Sequence, residues 1–242
     1  MEKNIGAFFD IDGTIYRDSL LIEHFKMLVK YEFINMVSWS GRVKEKFEEW
    51  EKRRGDYDDY LLELVETYVD ALKNLNKDDV VFLARRVIDL KGDRVYRYTR
   101  RKLEEHREKG HKIIIISGSP DFLVEKMALK YKADDFRASK YVVNEKNVFT
   151  GEVLPMWDGK NKKKAIDYFC EKYNIDFSKS YAYGDTTGDF TMFKNVRYPV
   201  AINPAMRLIQ RIKKDKELSE KIQIIVERKD VIYSLKADVK VL

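Results

Sequence analysis

The chain has 242 residues, of which 44% are hydrophobic and 36% are charged. This length fits one large domain or a core domain with an insert, and the hydrophobic fraction excludes a mostly disordered chain. Lysine and arginine exceed aspartate and glutamate by 47 − 41 = 6, which favours anionic partners of any kind, and the single cysteine excludes an intrachain disulfide or a cysteine-rich zinc site.

No apolar run reaches the length of a membrane span, and the first residues lack the arrangement of a signal peptide. Together with the low cysteine content, these observations predict a cytoplasmic protein without a membrane span.

The first half of the chain predicts one strand followed by helices. A short apolar run at residues 5–9 indicates a buried strand that ends at Asp10. Residues 17–93 then combine charged stretches with apolar residues at helical spacing, which predicts four helices. These helices lie near residues 19–31, 33–53, 58–74 and 78–90. In the third helix the apolar residues include Leu61, Leu62, Val65, Tyr68, Val69 and Leu72.

From residue 94 onward, predicted helices and strands alternate. The helices cover about 94–109, 120–131 and 161–173, and the strands cover 112–116, 180–183, 199–202 and 222–226. Residues 141–154 are expected to form a hairpin. This alternation predicts an α/β fold: a doubly wound parallel, Rossmann-like sheet core at residues 1–16 and 94–242, with an all-helical domain inserted at 17–93.

Two carboxylates directly follow the first predicted strand, in the segment Asp10-Ile11-Asp12-Gly13-Thr14. Neighbouring carboxylates repel each other, so they require a cation or a shared proton. A hard divalent cation such as Mg²⁺ suits such oxygen ligands. Aspartate-rich turns are common, but this pattern directly after an apolar strand is much more specific.

Three further polar motifs lie at predicted strand ends or helix starts. Ser117-Gly118-Ser119-Pro120 separates a strand from a helix, where a hydroxyl and N–H groups can hold a phosphate; an ordinary helix cap is the alternative. Gly159-Lys160-Asn161-Lys162 opens a helix, with solvated lysines as the alternative. Gly184-Asp185-Thr186-Thr187-Gly188-Asp189 supplies two more carboxylates, with a loop cap as the alternative.

Together, the four motifs resemble the haloacid dehalogenase superfamily of phosphotransferases. That family shows Asp-x-Asp-Gly-Thr, a Ser or Thr ending the second strand, a Lys, and Gly-Asp-x-x-x-Asp, in the order found here. The helical insert is similar to the family's type-1 cap, and the closest similarity is to the branch of the phosphoserine phosphatases. The resemblance implies an Mg²⁺-dependent phosphatase that hydrolyses a small phosphorylated metabolite through an aspartyl-phosphate intermediate.

The resemblance also implies roles for the aspartates. Asp10 matches the nucleophile, and Asp12 matches the general acid and base. The magnesium ligands would be Asp10, the backbone carbonyl of Asp12, and Asp185. Asp189 would support this site, either as a direct metal ligand or through contacts with the residues that bind the metal.

Phosphate binding is implied for the remaining motifs. Ser117 and the Gly118 N–H match groups that bind phosphate oxygens, and Lys162 matches the lysine that neutralises charge on the nucleophile and phosphate. Lys160 is the alternative lysine. Helix phasing favours Lys162, because the apolar residues of this helix then fall at the usual offsets: Ala165, Ile166 and Phe169.

The chain differs from the phosphoserine phosphatases at a position that binds the substrate in that branch. Phosphoserine phosphatases place a glutamate nine residues after the nucleophile to bind the substrate amino group, and Ser19 stands at that position here. Phosphoserine is therefore not predicted to be strongly preferred, although a phosphoserine phosphatase that uses Asp18 or Glu23 instead is an alternative.

A different class of function is a non-catalytic protein on the same fold that binds nucleic acid through the basic helix 94–109. Glutamates interspersed in that helix favour a solvated surface, so no nucleic-acid partner is predicted. The three histidines, His24, His106 and His111, lack metal-ligand spacing and are expected at the surface or at helix ends.

Overall fold

The computed structural model describes residues 3–34, 42–52, 54–55 and 57–240, with residues 42 and 58 described by their backbone alone. The first strand is β1 (Gly6–Phe9), and a helical insert follows it: α1 (Leu20–Lys30), α2 (Arg42–Glu51), α3 (Tyr57–Leu72) and α4 (Lys77–Lys91). The remaining elements, in chain order, are α5 (Arg97–Glu108), β2 (Lys112–Pro120), α6 (Asp121–Lys130), β3 (Asp135–Val143), β4 (Phe149–Leu154), α7 (Gly159–Tyr173), β5 (Tyr181–Gly184), α8 (Phe190–Asn195), β6 (Tyr198–Ile202), α9 (Met206–Lys214), α10 (Lys216–Lys221), β7 (Gln223–Arg228) and β8 (Val231–Leu235).

The strands form one sheet in the order β4-β3-β2-β1-β5-β6-β7-β8. The inner strands from β3 to β7 are parallel, whereas β4 and β8 pair antiparallel at the two edges. The predicted α/β fold is confirmed. The sequence pattern did not predict β8 or the short helices α8 to α10, because β8 is half exposed and these helices are too short to show a clear period.

Four successive isoleucines in β2 show why the sheet is covered on both faces. Alternate residues of a strand point to opposite faces. Ile113 and Ile115 belong to the apolar cluster that contains residues of α1, α3 and α4, and Ile114 and Ile116 belong to the cluster with α7 and α8. β-Branched residues buried on both sides are typical of a central parallel strand.

The helical insert is connected to the sheet by two segments that run side by side, at residues 15–17 and 94–96. The Arg17 N–H donates to the Arg94 carbonyl at 2.9 Å, and the Tyr96 N–H donates to the Ile15 carbonyl at 3.0 Å. Within the insert, the predicted helix at 33–53 is wrong at its start, because the chain turns at residues 31–34 and α2 begins at Arg42. Residues 35–41 of that prediction lie outside the described residues.

Buried His24 joins three helices of the insert. Its Nε2 lies 3.0 Å from the Val80 carbonyl, and its Nδ1 lies 2.6 Å from the Tyr68 hydroxyl. A carbonyl can only accept, so Nε2 carries the proton and Nδ1 accepts from Tyr68. Burial lowers the pKa of His24 to about 4, and the ring is neutral.

The prediction that the histidines lie at the surface or at helix ends is wrong for His24, which is buried within α1, whereas His106 lies in the last turn of α5 but is buried. Nε2 of His106 lies 2.8 Å from Tyr183 Oη, so both buried histidines have a hydrogen-bond partner inside the protein. Among the described helices, none has the length and apolar character needed to cross a membrane.

Candidate active site

The four predicted motifs meet at the carboxyl edge of the sheet, where the strand order reverses about β1. Asp10 follows β1, Ser117 lies near the end of β2, Asp185 follows β5, and Lys162 lies in the first turns of α7. A cavity of about 390 Å³ opens there, and every residue of the predicted site except Asp189 lines it.

Lys162 connects two of the aspartates. Its Nζ lies 2.9 Å from Asp10 Oδ1 and 2.5 Å from Asp189 Oδ1, and all three side chains are buried. Burial alone would lower the pKa of Lys162, but the two carboxylates outweigh burial and raise it, so the ammonium stays charged. The alternative lysine, Lys160, is exposed and lies outside the cavity lining.

Asp189 holds the loop that presents Asp185. Its Oδ2 accepts hydrogen bonds from the N–H groups of Asp185 at 3.0 Å and Thr186 at 3.1 Å. Gly184 leaves room for this carboxylate, because a Cβ at that position would lie 2.5 Å from the Asp189 side chain. Both oxygens of Asp189 are therefore engaged with protein donors, Oδ1 with Lys162 and Oδ2 with this loop.

Three buried carboxylates could hold a metal ion: Asp10, Asp185 and Asp189 offer oxygens within 4.8 Å of one another. Burial raises the pKa of Asp10 to about 7, with Lys162 opposing the shift and Asp189 adding to it. Burial, and then the charge of Asp10, raise the pKa of Asp185. When ionised, three carboxylates against one ammonium leave 3 − 1 = 2 negative charges, so an all-oxygen site with this excess fits Mg²⁺.

Asp12 is held from two sides. Its Oδ1 accepts from the N–H of Leu20, the first residue of α1, at 2.7 Å, and its Oδ2 accepts from the Ser119 hydroxyl. Burial raises the pKa of Asp12 to about 6, although both hydrogen bonds oppose the shift. The contact with Ser119 was not predicted. The signal for it is the spacing of Ser117 and Ser119, because residues two apart on a strand face the same side.

The end of β2 also shapes the phosphate-binding candidates. Ser117 Oγ accepts from the Ser119 N–H at 3.2 Å, which leaves its own proton for another acceptor. Gly118 lies against Trp157, and a Cβ on Gly118 would be 2.8 Å from Trp157 Cβ. β2 continues to Pro120, and α6 begins without a side-chain cap, so the alternative of an ordinary serine cap is wrong.

The cavity has two unlike walls. The sheet wall consists of the predicted polar residues Asp10, Asp12, Ser117, Gly118, Lys162 and Asp185. The helix wall consists of residues from α1 and α3, namely Leu21, Tyr57, Leu61, Leu62 and Val65. The fully buried apolar residues of α3 form a different stripe, namely Tyr60, Leu64, Tyr68 and Leu72. Most of the apolar residues that predicted this helix therefore face the cavity or lie only partly buried.

Three further residues line the cavity and were missed by sequence reasoning: Trp157, Arg207 and Arg211. Trp157 lies in the connection between β4 and α7, which has no periodic pattern. The two arginines are four residues apart on α9, so their spacing places them on one helix face. That signal was hidden because α9 itself was not predicted.

Comparisons with known proteins give a family match and several structural matches. A family model described as haloacid dehalogenase-like hydrolase matches residues 7–194. The chain is 29% identical over 200 residues to "Inhibition of morphological differentiation protein" of Streptomyces azureus, covering 82% of this chain and 71% of that protein.

Among solved structures, a phospho-aspartyl intermediate analogue of phosphoserine phosphatase aligns with a TM-score of 0.62 and 20% identity, over 95% of this chain and 96% of that one. A protein of unknown function from Bordetella pertussis Tohama I aligns with a TM-score of 0.65 and 13% identity, over 88% and 96%. Both matches show a shared fold.

Proposed function

Because the chain belongs to the haloacid dehalogenase-like hydrolases, we propose that it is an Mg²⁺-dependent phosphatase that hydrolyses small phosphate monoesters through an aspartyl-phosphate at Asp10. The observation that carries the proposal is the buried contact of Lys162 with Asp10 and Asp189, beside Asp12 and Ser117 in one cavity. A carboxylate held next to an ammonium at the end of a central strand suits attack on a phosphoryl group.

In the first step, a carboxylate oxygen of Asp10 forms a bond to phosphorus, and the bond from phosphorus to the leaving oxygen breaks. Asp12 donates its proton to that oxygen, which leaves as an alcohol. Lys162, the Ser117 hydroxyl and the Gly118 N–H stabilise the negative charge on the phosphoryl oxygens.

In the second step, Asp12 removes a proton from a water molecule that attacks phosphorus. The bond between phosphorus and the Asp10 oxygen breaks, which yields inorganic phosphate and restores the Asp10 carboxylate. Asp10, Asp185 and the backbone carbonyl of Asp12 would hold Mg²⁺, which supplies charge neutralisation at the phosphoryl group when it is bound. Asp189 keeps Asp185 and Lys162 in place during both steps.

The test is phosphate release from an aryl phosphate. We expect turnover with Mg²⁺, its loss on chelation with EDTA, and its return when Mg²⁺ is added back. Asp10→Asn should abolish turnover. Circular dichroism checks that the variant protein is still folded. Equal rates with and without chelator would contradict the metal dependence, and full activity of Asp10→Asn would contradict the nucleophile.

A phosphoserine phosphatase is the second candidate, supported by the shared fold of the solved phosphoserine phosphatases. The position of the expected glutamate holds Ser19, which caps α1 by accepting from the Ile22 N–H. Glu23 is paired with cations, at 3.5 Å from Lys26 and 3.7 Å from Lys91. Asp18 lines a neighbouring pocket instead of this cavity.

We therefore propose that phosphoserine is not strongly preferred, because the loss of a charged partner for its amino group costs about a hundredfold in kcat/KM. A comparison of kcat/KM for phosphoserine and glycerol phosphate tests this, and a large preference for phosphoserine would contradict it.

A further inference from the structure

Part of the helix wall on α3 stays open to the cavity, although Leu61 and Val65 also pack against the apolar core with part of their surface. The fully buried stripe of that helix is a different one, whereas Leu62 remains 55% exposed at the cavity and Leu61 and Val65 are only partly buried. Apolar surface that remains in contact with water gains free energy when a ligand covers it. The helix wall is therefore suited to a hydrocarbon part of a substrate, next to the carboxylates that perform the chemistry.

A cationic group lies in the same cavity, on the side of α9. The Arg211 guanidinium lies 4.0 Å from the centre of the Phe190 ring, which holds it in place. Arg207, one turn earlier, forms an ion pair with Asp59 at 3.1 Å. In the part of the chain that the structure describes, no carboxylate forms an ion pair with Arg211. Its N–H groups are thus available to an anion in the cavity.

The carboxylates that line the cavity are engaged elsewhere, as far as the described residues go. Asp10, Asp12 and Asp185 belong to the catalytic network. Asp158 caps α7: one oxygen accepts from the Asn161 N–H at 2.9 Å, and the other accepts from the Asn161 side-chain amide at 2.6 Å. The lining therefore favours an additional anionic group on the substrate over an amino group.

We propose that the substrate is a phosphate monoester whose leaving group contains a hydrocarbon segment and, at its far end, a second anionic group. The hydrocarbon segment lies against the helix wall, and Arg211 binds the anion. This inference rests on the proposed function, since it names the leaving group of that same reaction. A carboxylate and a second phosphate share the chemistry that a guanidinium recognises.

The first arm of the test compares hexyl phosphate with the ester of the same chain that ends in a carboxylate, or in a second phosphate. The readout is the ratio of kcat/KM, charged ester over neutral ester, which should exceed one in the unaltered protein. Arg211→Gln should lower this ratio about tenfold, mainly through KM, because a charge-assisted contact made equally before and in the transition state is lost.

Two variants make this arm specific. Arg211→Lys keeps the charge and should restore part of the ratio. Arg86→Gln removes an exposed arginine of α4 that does not line the cavity, and it should leave the ratio at the unaltered value. An unchanged ratio in Arg211→Gln, or a ratio of one or less in the unaltered protein, would overturn the inference.

The second arm compares hexyl with ethyl phosphate. Partial burial of four more methylene groups should raise kcat/KM about tenfold or more, and Leu62→Ser should reduce that gain. Leu129→Ser is the matched control, since Leu129 is 69% exposed on α6 and does not line the cavity. No gain with chain length would overturn the hydrocarbon part of the inference.

The outcomes separate this inference from the proposed function. Equal kcat/KM for all the esters would overturn the inference and leave a phosphatase without this selectivity. If the protein releases phosphate from none of the esters, both the proposed function and the inference are contradicted.

Discussion

The two walls of the cavity differ in how their side chains are held. On the sheet wall, Asp10 and Lys162 are buried and fixed by ion pairs and hydrogen bonds that reach across β1, α7 and the loop after β5. On the helix wall, Leu62 touches the cavity without being part of the packed stripe of α3. Under the proposed function, the chemistry depends on the buried charge network, whereas the choice of leaving group depends on the apolar and cationic side chains that surround it.

The largest effect is expected on the sheet wall. Lys162→Ala should lower turnover of an aryl phosphate by ~10² or more, because a preorganised charge is lost next to the reacting group. Lys160→Ala is the matched control on the same helix and should lower turnover only slightly, since Lys160 is exposed. The reverse order would contradict the network that defines the sheet wall. Thermal unfolding of both variants checks that the loss is not one of folding.

The helical insert should be sensitive to acid through His24. The pKa of His24 is lowered by burial from 6.5 to about 4 in the folded state, so the unfolded state binds more protons between these values. The free energy of unfolding is therefore at its full value above pH 6.5 and falls as the pH decreases towards 4.

His24→Gln removes this titration. The difference in the free energy of unfolding, unaltered protein minus variant, should decrease by ~2 kcal/mol when the pH is lowered from 7.5 to 4.5. Urea unfolding at a series of pH values measures it. His106 is present in both proteins, so its own titration cancels in the difference. A difference that does not change with pH would show that His24 is not buried in its neutral form.

A smaller effect is expected where the two walls share a residue. Asp12 accepts from Leu20 of the insert and from Ser119 of the sheet, so Ser119→Ala should lower kcat about tenfold by releasing one side of the carboxylate. Ser119→Thr keeps the hydroxyl and should recover most of the rate. Ser178→Ala, at an exposed serine, is the control. Activity of Ser119→Ala equal to that of the control would show that Ser119 does not position Asp12 for the reaction.

The smallest effect is expected for the ion pair between Asp59 of α3 and Arg207 of α9, which joins the helical insert to the core. Arg207 and Asp59 are both about half exposed, and such pairs contribute little in water. Asp59→Asn should change the free energy of unfolding by less than ~1 kcal/mol and kcat/KM by less than about threefold. A much larger change in kcat/KM would show that this ion pair controls the position of α3 relative to α9.

The sheet wall was accessible from the sequence because each of its motifs is a short contiguous segment at a strand end or a helix start. Once the strands are parallel and in one sheet, their carboxyl ends must meet, so Asp10, Ser117 and Asp185 converge through topology alone. Helix phasing then selected Lys162 over Lys160, and the structure places Lys162 against Asp10.

The helix wall could not be derived in the same way. Helical periodicity predicted α3, but it does not tell which of two apolar stripes packs and which faces a cavity. Leu62 and Leu64 are equally apolar, yet one is exposed and the other buried, because only contacts between helices decide the difference. Arg211 was missed since α9 is short, and Trp157 was missed because it lies in an irregular connection.

The central claim is that Asp10 becomes covalently phosphorylated. Asp12→Asn should slow the release of phosphate from Asp10 more than its transfer to Asp10, because a water molecule needs a base. The measurement is mass spectrometry of this variant after acid quenching during turnover of an aryl phosphate with Mg²⁺. We predict one added phosphoryl group on the peptide that contains Asp10, and none when Asp10→Asn is combined with it. Turnover in the unaltered protein without a phosphorylated peptide in either protein would contradict the account.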